Sequence, residues 1–216
     1  MVVKRKEGKR EYCAVIGDIN KSRSLRQRAV IQRKFQEALH VLNAEFKGEI
    51  AAPFMITLGD EFQGLLYTPA ASYRMVVRFS ELMEPVSFSF GIGIGTLSTS
   101  FHKVSTSMDG EVFHAARHAL QRSKKNKSFL TYEFKHPVIH LLNALVDLLE
   151  KQKSKLTPRQ SMIARLMLTH DNQSRVASIL GIRQPSVWKS LASSNMKEIH
   201  RAEVALTSYL ARIGNK

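Results

Sequence analysis

The chain has 216 residues, of which 44% are hydrophobic and 24% are charged. This length supports a buried core in one medium domain or two small ones, and the composition excludes a disordered chain. Basic residues outnumber acidic residues by 33 to 18, and the net charge of +15 favours polyanionic partners such as nucleic acid, nucleotides or an anionic membrane face. The alternative is a cationic surface that serves only solubility.

Two further features bear on the cellular compartment. No apolar run approaches the roughly 20 residues of a membrane span, and the charged N-terminus lacks the apolar segment of a signal peptide. Cys13 is the only cysteine, which excludes an internal disulfide network and a cysteine-based zinc site. We therefore expect a cytoplasmic protein with no membrane partner.

Strand and helix patterns alternate along the first 136 residues. The predicted elements are a strand at 12–16, a helix at 24–46, strands at 53–58 and 62–67, a helix at about 70–83, a strand at 86–97, a helix at 110–123 and a strand at 129–132. Ser24 and Gln27 have the spacing of a capping box at the start of the first helix. The run 122–127 reads as a basic loop, either solvated or bound to phosphates. The order β-α-β-β-α-β, followed by α-β, predicts an α+β fold, a ferredoxin-like or palm-type sandwich with helices on one face of a mainly antiparallel sheet.

The pattern becomes helical after Pro137. A helix at 138–149 is apolar on most sides, which suits burial between domains or a dimer contact. The segment 151–155 reads as an exposed linker, and everything from 156 onward is helical. We therefore predict an α+β domain at 1–136, a connecting helix and linker at 137–155, and an all-α domain at 156–216. The net charge is +8 up to residue 136 and +7 after it, so the shorter C-terminal part is more densely basic.

The C-terminal part contains the pattern of a helix-turn-helix. Thr157 and Pro158 suit the cap and the first position of a helix. Farther on, Ala177 is small enough for a helix crossing, Gly181 can adopt the left-handed turn that ends a helix, and Val187 can anchor the second helix in the core. This spacing resembles the helix-turn-helix of bacterial regulators of the LuxR and sigma-factor types. The alternative is an ordinary helical hairpin used for protein contact.

The second helix of this motif supplies the candidate DNA-binding residues. They are Arg183, Gln184, Ser186, Lys189 and Ser190. In a major groove Gln184 and Lys189 can read base edges, and Arg183 can hold a phosphate. Trp188 is predicted to pack in the core or in a dimer contact. The predicted partner is double-stranded DNA.

Two acidic turns form a second candidate site in the N-terminal part. Asp18 follows an apolar strand, and Asp60 and Glu61 lie at the tip of the predicted hairpin. If the first strand is adjacent to that hairpin, the carboxylates converge and can hold Mg²⁺ or Mn²⁺ together with the phosphates of a nucleotide. The alternative is a pair of turn aspartates, because Gly-Asp is common in turns.

The combination of these motifs resembles the SatD family of bacterial proteins. The motifs are Gly17-Asp18-Ile19 followed by Ser22, ITLGDEFQGLL at 56–66, GIGIG at 91–95 and Asp109-Gly110. The resemblance covers residues 11–134 and the helix-turn-helix. More remotely, the same blocks are similar to class III nucleotide cyclases and GGDEF-type diguanylate cyclases, whose palm core holds metal on two acidic residues.

The resemblance to these cyclases implies roles for individual residues. It implies that Asp18 and Asp60 bind the metal, with the Ile19 carbonyl as a third ligand and Glu61 at a position that is acidic in GGDEF enzymes. It implies a purine-nucleotide site that includes Gly17, Ile19, Ser22 and Gly59. The glycines at 91–95 resemble those that let cyclase backbone approach a ligand or a neighbouring chain. Arg117 resembles the arginine that steadies the cyclase transition state, but Phe113 stands four residues earlier, where cyclases carry asparagine.

Three functions are compatible with these residues. The first is a dimeric DNA-binding transcriptional regulator with a nucleotide- and metal-sensing palm-like domain, since helix-turn-helix proteins usually read two symmetric half-sites. The second is a Mg²⁺- or Mn²⁺-dependent cyclase-like enzyme, for which the departure at Phe113 removes a positioning group. The third is a module that binds nucleic acid without sequence preference.

Overall fold

The computed structural model of the protein describes residues 10–20, 28–102 and 104–214. The elements up to residue 136 are β1 (Glu11–Ile19), α1 (Arg28–Glu45), β2 (Ile50–Leu58), β3 (Glu61–Leu66), α2 (Ser72–Met83), β4 (Phe88–Thr96), α3 (Glu111–Asn126) and β5 (Leu130–Glu133). The later helices are α4 (Ile139–Lys153), α5 (Pro158–His170), α6 (Gln173–Leu180), α7 (Gln184–Ser193) and α8 (Met196–Ile213). The predicted mixed α+β class is confirmed. The capping box predicted at Ser24 and Gln27 lies outside the described residues.

The strands form one sheet in the order β2-β3-β1-β4-β5. β1 pairs antiparallel with β3 and β4, β2 pairs antiparallel with β3, and β5 adds a parallel edge to β4. The apolar run Cys13–Ile16 is fully buried, as expected for a central strand that is covered on both faces. The sheet thus places the end of β1 between the β2–β3 hairpin and the start of β4.

Helices cover both faces of this sheet, so the expectation of helices on one face is wrong. α1 and α2 pack on one face through phenylalanines, with Phe62 of β3 at 5.8 Å from Phe35 and 4.5 Å from Phe79 between ring centroids. α3 packs on the other face, where Val112 and its neighbours cluster with Ala14 and other small or apolar strand residues. α3 fits on this face because the strand positions beneath it, Ala14, Gly91 and Gly93, have a small side chain or none.

Glycines of β4 allow α3 to lie directly against the sheet. A Cβ atom on Gly91 would lie 2.2 Å from both the Ala116 carbonyl oxygen and the Leu120 nitrogen, and one on Gly93 would lie 2.2 Å from the Val112 carbonyl oxygen. These glycines therefore allow α3, a helix of the same chain, to approach β4 closely.

The described part of the chain divides into two compact units. One contains the residues up to Ala144 together with those from Thr207, and the other is Leu145–Leu206. α4 continues to Lys153, so the predicted linker at 151–155 is helical over its first three residues. The reason is visible in the side chains, because Val146 and Leu149 are buried and Lys153 Nζ lies 3.1 Å from Glu203 of α8. The predicted domain boundaries stay predictions. In the described residues no helix has the length and apolarity needed to cross a membrane.

Candidate functional sites

The end of β1 carries the first acidic side chain of the candidate nucleotide site. Asp18 lies opposite Glu61 of β3 and opposite Ser89 of β4. Alternation along β1 directs Asp18 to the face that α3 covers, where 13% of its side chain is exposed. The hairpin tip lies beside it, since the Ile19 N–H donates to the Asp60 carbonyl oxygen at 3.0 Å. The structure therefore brings Asp18, Asp60 and Glu61 together at one end of the central strands.

Two cations on α3 pair with these carboxylates. Lys124 Nζ lies 2.6 Å from Asp18 Oδ2, and Arg117 donates to Glu61 Oε2. Seven residues, about two helical turns, separate Arg117 and Lys124, so both project from one face of α3. Thr57 Oγ1 also donates to Glu61 Oε1 at 3.0 Å. The cyclase-like arginine is thus engaged in an ion pair, and the predicted basic loop at 122–127 is wrong because helix α3 extends to Asn126.

The electrostatics of Asp18 reflect this mixed environment. Burial is the largest effect and raises the pKa of its carboxyl above the ordinary value. The hydrogen bond and the charge of Lys124 act in the opposite direction, and the neighbouring charges of Asp60 and Glu61 raise the pKa further. The site therefore combines carboxylates that repel one another with cations that relieve the repulsion.

The chemistry of these side chains fits a hard divalent cation. Carboxylate and carbonyl oxygens are the ligands that Mg²⁺ and Mn²⁺ prefer, and Asp18, Asp60 and the Ile19 backbone offer them. The part of the chain that the structure describes has no ready-made group of three or more His, Cys, Asp or Glu side chains for a metal. Because Lys124 already neutralises Asp18, an incoming cation has to replace its ammonium group.

Three other residues predicted for the nucleotide site, Gly17, Ile19 and Gly59, lie close by and have structural roles. Gly17 faces the opposite side of the sheet, where a Cβ would lie 2.3 Å from the Phe62 ring, so aromatic packing explains this glycine. Ile19 is buried. Gly59 has a φ of +46° at the hairpin tip, and its carbonyl oxygen accepts a hydrogen bond from Gln32 Nε2 at 3.2 Å. Ser22 lies outside the described residues.

The position that differs from the cyclase pattern is buried. Phe113 belongs to the apolar cluster between α3 and the sheet, with 8% of its surface exposed. A phenylalanine in this cluster offers no hydrogen bond to a bound ligand. The structure thus gives Phe113 a packing role.

Helices α5, α6 and α7 share one small core in the second unit. Ile163, Val176, Ala177 and Val187 are buried together. α6 ends at Leu180 and is capped by Gly181, whose φ of 62° is left-handed, and the Ile182 N–H donates to the Ala177 carbonyl oxygen at 3.0 Å. α5 begins with a capping box formed by Thr157 and Gln160. The predicted small residue, turn glycine and valine anchor are all found where the two helices meet.

Most polar residues of α7 lie on the side of the helix that faces away from this core. The exposed candidate DNA-binding residues are Arg183, Gln184, Ser186 and Lys189. Ser190 is half-buried beside Leu191, on the core side of the helix. Trp188 is 60% exposed, so it does not pack in the core of this chain, and the alternative of a dimer contact stays a prediction. Its position between Val187 and Lys189 places the ring on the side of α7 that faces solvent.

Two side-chain pairs at these sites are not predicted from the sequence, although Lys124 lies in the run 122–127, for which phosphate binding is one prediction. Lys124 pairs with Asp18, and its signal was the seven-residue spacing from Arg117 on one helix face. Gln173, the first residue of α6, accepts a hydrogen bond from Gln184 Nε2 at 2.8 Å. Its signal was a second glutamine eleven residues before Gln184, at the start of the preceding helix.

Comparisons with known proteins identify the family. A bacterial light-regulated adenylyl cyclase is 14% identical over 56% of this chain and 74% of its own, with a TM-score of 0.44. The catalytic core of a rhodopsin-guanylyl cyclase with converted specificity, in complex with ATPαS, is 12% identical over 52% of this chain and 72% of its own, with a TM-score of 0.39. A regulator of polyketide synthase expression from Bifidobacterium adolescentis is 11% identical over 92% and 85%, with a TM-score of 0.27. No curated protein matches the chain. The SatD family model matches residues 12–210, which confirms the resemblance inferred from the motifs.

Proposed function

The chain belongs to the SatD family, and we propose that it is a transcriptional regulator that binds double-stranded DNA through α6 and α7. In this proposal its α+β unit binds a purine nucleotide with Mg²⁺ or Mn²⁺ and the protein acts as a homodimer. The observation that carries the proposal is the polar outer side of α7, which a buried valine and a left-handed glycine hold against α6.

The geometry of α6 and α7 supports a helix-turn-helix role. In that motif the second helix enters the major groove with its N-terminal residues at the base edges. Gln184 is the first residue of α7, and Lys189 is exposed farther along the same helix. Arg183 precedes the helix and is exposed, which suits a contact to the phosphate backbone.

The positive charge of the C-terminal part also supports DNA as the partner. The sequence after residue 136 has 12 basic and 5 acidic residues. Within the second compact unit, the exposed lysines and arginines from α6 onward are Arg175, Arg183, Lys189, Lys197 and Arg201. Neutralising phosphates with such side chains releases counterions, which drives binding to DNA.

The acidic end of β1 supports a nucleotide ligand. The carboxylates of Asp18 and Asp60 would hold a divalent cation, which when bound neutralises phosphate charge. Lys124 and Arg117, released from their present carboxylate partners, would then lie within the same site as the phosphates. One ligand, a metal-bound nucleotide, satisfies the acidic and the basic groups together.

Phe113 favours ligand binding over turnover. A catalytic palm needs polar groups that stabilise the transition state, and loss of one such group lowers rates by about 10²–10³. The side chain at this position is instead part of the apolar core. A cyclase-like enzyme therefore has less support in these residues than a ligand-responsive regulator.

Sequence-specific DNA binding by the full chain is the direct test. Duplexes enriched from a random pool and scrambled versions of them would be titrated at several salt concentrations by fluorescence anisotropy. We expect the enriched duplex to bind at least about 10³-fold more tightly than the scrambled one. Arg183→Gln should weaken both and lower the salt slope by about one, whereas Lys189→Gln should mainly reduce the preference for the enriched duplex.

The matched control is Lys125→Gln, which removes the same charge from an exposed position on α3. It should change neither the preference nor the slope. If the enriched and scrambled duplexes bind equally well, the protein is a non-specific nucleic-acid-binding module and the proposed regulator is wrong.

A further inference from the structure

A hydrogen bond joins the first residues of α6 and α7. Gln184 Nε2 donates to Gln173 Oε1 at 2.8 Å, and the two residues are eleven apart in the sequence. Gln184 is exposed and Gln173 is half-buried. We infer that this glutamine pair reads one A·T base pair in the major groove, with Gln184 as the residue that contacts adenine and Gln173 as the residue that positions it. This inference rests on the proposed function and deepens it by naming the base.

The hydrogen bond determines which groups of each side chain remain available. A glutamine amide has one carbonyl acceptor and two N–H donors. Gln184 uses one N–H toward Gln173, which leaves its carbonyl oxygen and its second N–H, an acceptor and a donor side by side. Gln173 has accepted through its carbonyl oxygen and retains two N–H donors. The pair therefore presents one mixed acceptor–donor edge and one donor-only edge.

The mixed edge matches adenine among the four bases. In the major groove adenine presents the N7 acceptor and the N6–H donor, which a glutamine can meet with two hydrogen bonds. Guanine presents two acceptors there, O6 and N7, and would leave the Gln184 carbonyl oxygen facing another acceptor. The donor-only edge of Gln173 suits a phosphate oxygen of the DNA backbone.

Gln184 lies at a position from which its side chain can reach a base edge. It begins α7, and the N-terminal residues of a second helix are those that approach base edges. Its backbone is held by the turn through Gly181 and by the buried Val187 three residues later. Its side chain is held by Gln173, so less rotamer freedom is lost when it meets the base.

Selection from a random duplex pool tests the inference with the full chain. The wild type should enrich sites with at least one strongly preferred A·T pair. Gln184→Ala should remove the preference at that pair, by roughly 5- to 150-fold, and leave the other positions unchanged. Gln173→Ala should weaken the preference at the same pair. Replacing that adenine by 7-deazaadenine, which lacks the N7 acceptor, should weaken binding of the wild type and have no effect on Gln184→Ala.

Gln173→Glu separates positioning from a general structural role. The carboxylate still accepts a hydrogen bond from Gln184 Nε2, so the adenine preference should persist, while its charge should weaken binding to every duplex. Ser174→Ala, an exposed neighbour on α6, is the matched control and should behave as the wild type. Melting temperatures of all variants should stay close to that of the wild type, because Gln184 and Ser174 are exposed and Gln173 is only half-buried.

The outcomes distinguish failure of this inference from failure of the proposed function on which it rests. If the wild type enriches no sequence, the proposed function itself fails. If it enriches a sequence whose A·T preferences survive in Gln184→Ala, or in which Gln173→Ala and Ser174→Ala behave alike, DNA recognition stands and the glutamine pair is not the reader of adenine.

Discussion

At the scale of single residues, charge pairing decides how the acidic site can work. Asp18 and Glu61 are cross-strand neighbours with carboxylates on one face, an arrangement that costs free energy unless a cation is present. Lys124 and Arg117 supply that charge from α3. A metal ion would take over the role of Lys124, so the lysine and the metal compete for Asp18.

This competition predicts opposite effects of one substitution on two ligands. Lys124→Met should raise the affinity for Mn²⁺ alone by about 1.5- to 5-fold, which corresponds to the roughly 0.2–1 kcal/mol of a partly exposed ion pair. It should lower the affinity for Mn²⁺ with ATP or GTP, because a phosphate-binding cation is lost. Electron paramagnetic resonance of free Mn²⁺ measures the first quantity, and the shift of the melting temperature with nucleotide measures the second.

Lys125→Met is the control for this experiment, since Lys125 is exposed on the same helix turn and Asp18 is paired with its neighbour. It should leave both affinities unchanged, and Asp18→Asn should abolish both. Equal Mn²⁺ affinity in Lys124→Met and Lys125→Met would refute the competition between lysine and metal.

At the scale of elements, the position of α3 depends on glycines of β4. The carbonyl oxygen of Ala116 and the backbone nitrogen of Leu120 lie where a side chain of Gly91 would be. Both are backbone atoms of a helix, so they cannot move away as a flexible side chain would. The same helix carries Arg117 and Lys124, and the packing of α3 therefore also places the cations of the site.

Gly91→Ala should consequently lower the free energy of unfolding by about 1–3 kcal/mol, the usual cost of overpacking. The measurement is the midpoint of urea unfolding, with the slope checked for two-state behaviour. Gly48→Ala is the matched control, because no atom lies within 4 Å of its added Cβ. It should stay within about 1 kcal/mol of the wild type; a loss equal to that of Gly91→Ala would disprove the packing argument.

The elements also show what the sequence could and could not predict. Periodicity and turn residues indicate the order of strands and helices, because alternation and helical spacing are local properties. They do not indicate which sheet face α3 covers, since its apolar side at Val112 and Ala116 would suit either face. The basic run 122–127 does not distinguish a helix from a loop, because both tolerate lysines at exposed positions.

Side-chain pairs across elements are the other part, for which the sequence offers only residue spacings as signals. The convergence of Asp18 with the hairpin could be inferred from the expectation that β1 adjoins it. The pairs Lys124–Asp18 and Gln173–Gln184 depend on the distance between separate elements, which a single sequence does not encode locally. Both pairs have partners far enough apart in the chain that only the fold brings them together.

At the scale of the whole molecule, the proposal requires the two compact units to influence each other. α4 and α8 each contribute residues to both units, so the chain passes between them within helices. If a nucleotide with metal alters the affinity for DNA, thermodynamic linkage requires DNA to alter the affinity for the nucleotide by the same factor.

The last prediction follows from this reciprocity. With Mn²⁺ present, GTP or ATP should change the Kd of the enriched duplex by about 5- to 150-fold, the usual range of coupling between two sites. The duplex should change the Kd of the same nucleotide by an equal factor, and fluorescence anisotropy and calorimetry measure the two quantities. Asp18→Ala/Asp60→Ala should abolish the nucleotide effect while retaining DNA binding, because both carboxylates lie in the α+β unit. A Kd for DNA that is the same with and without every nucleotide would mean that the acidic site does not regulate DNA binding.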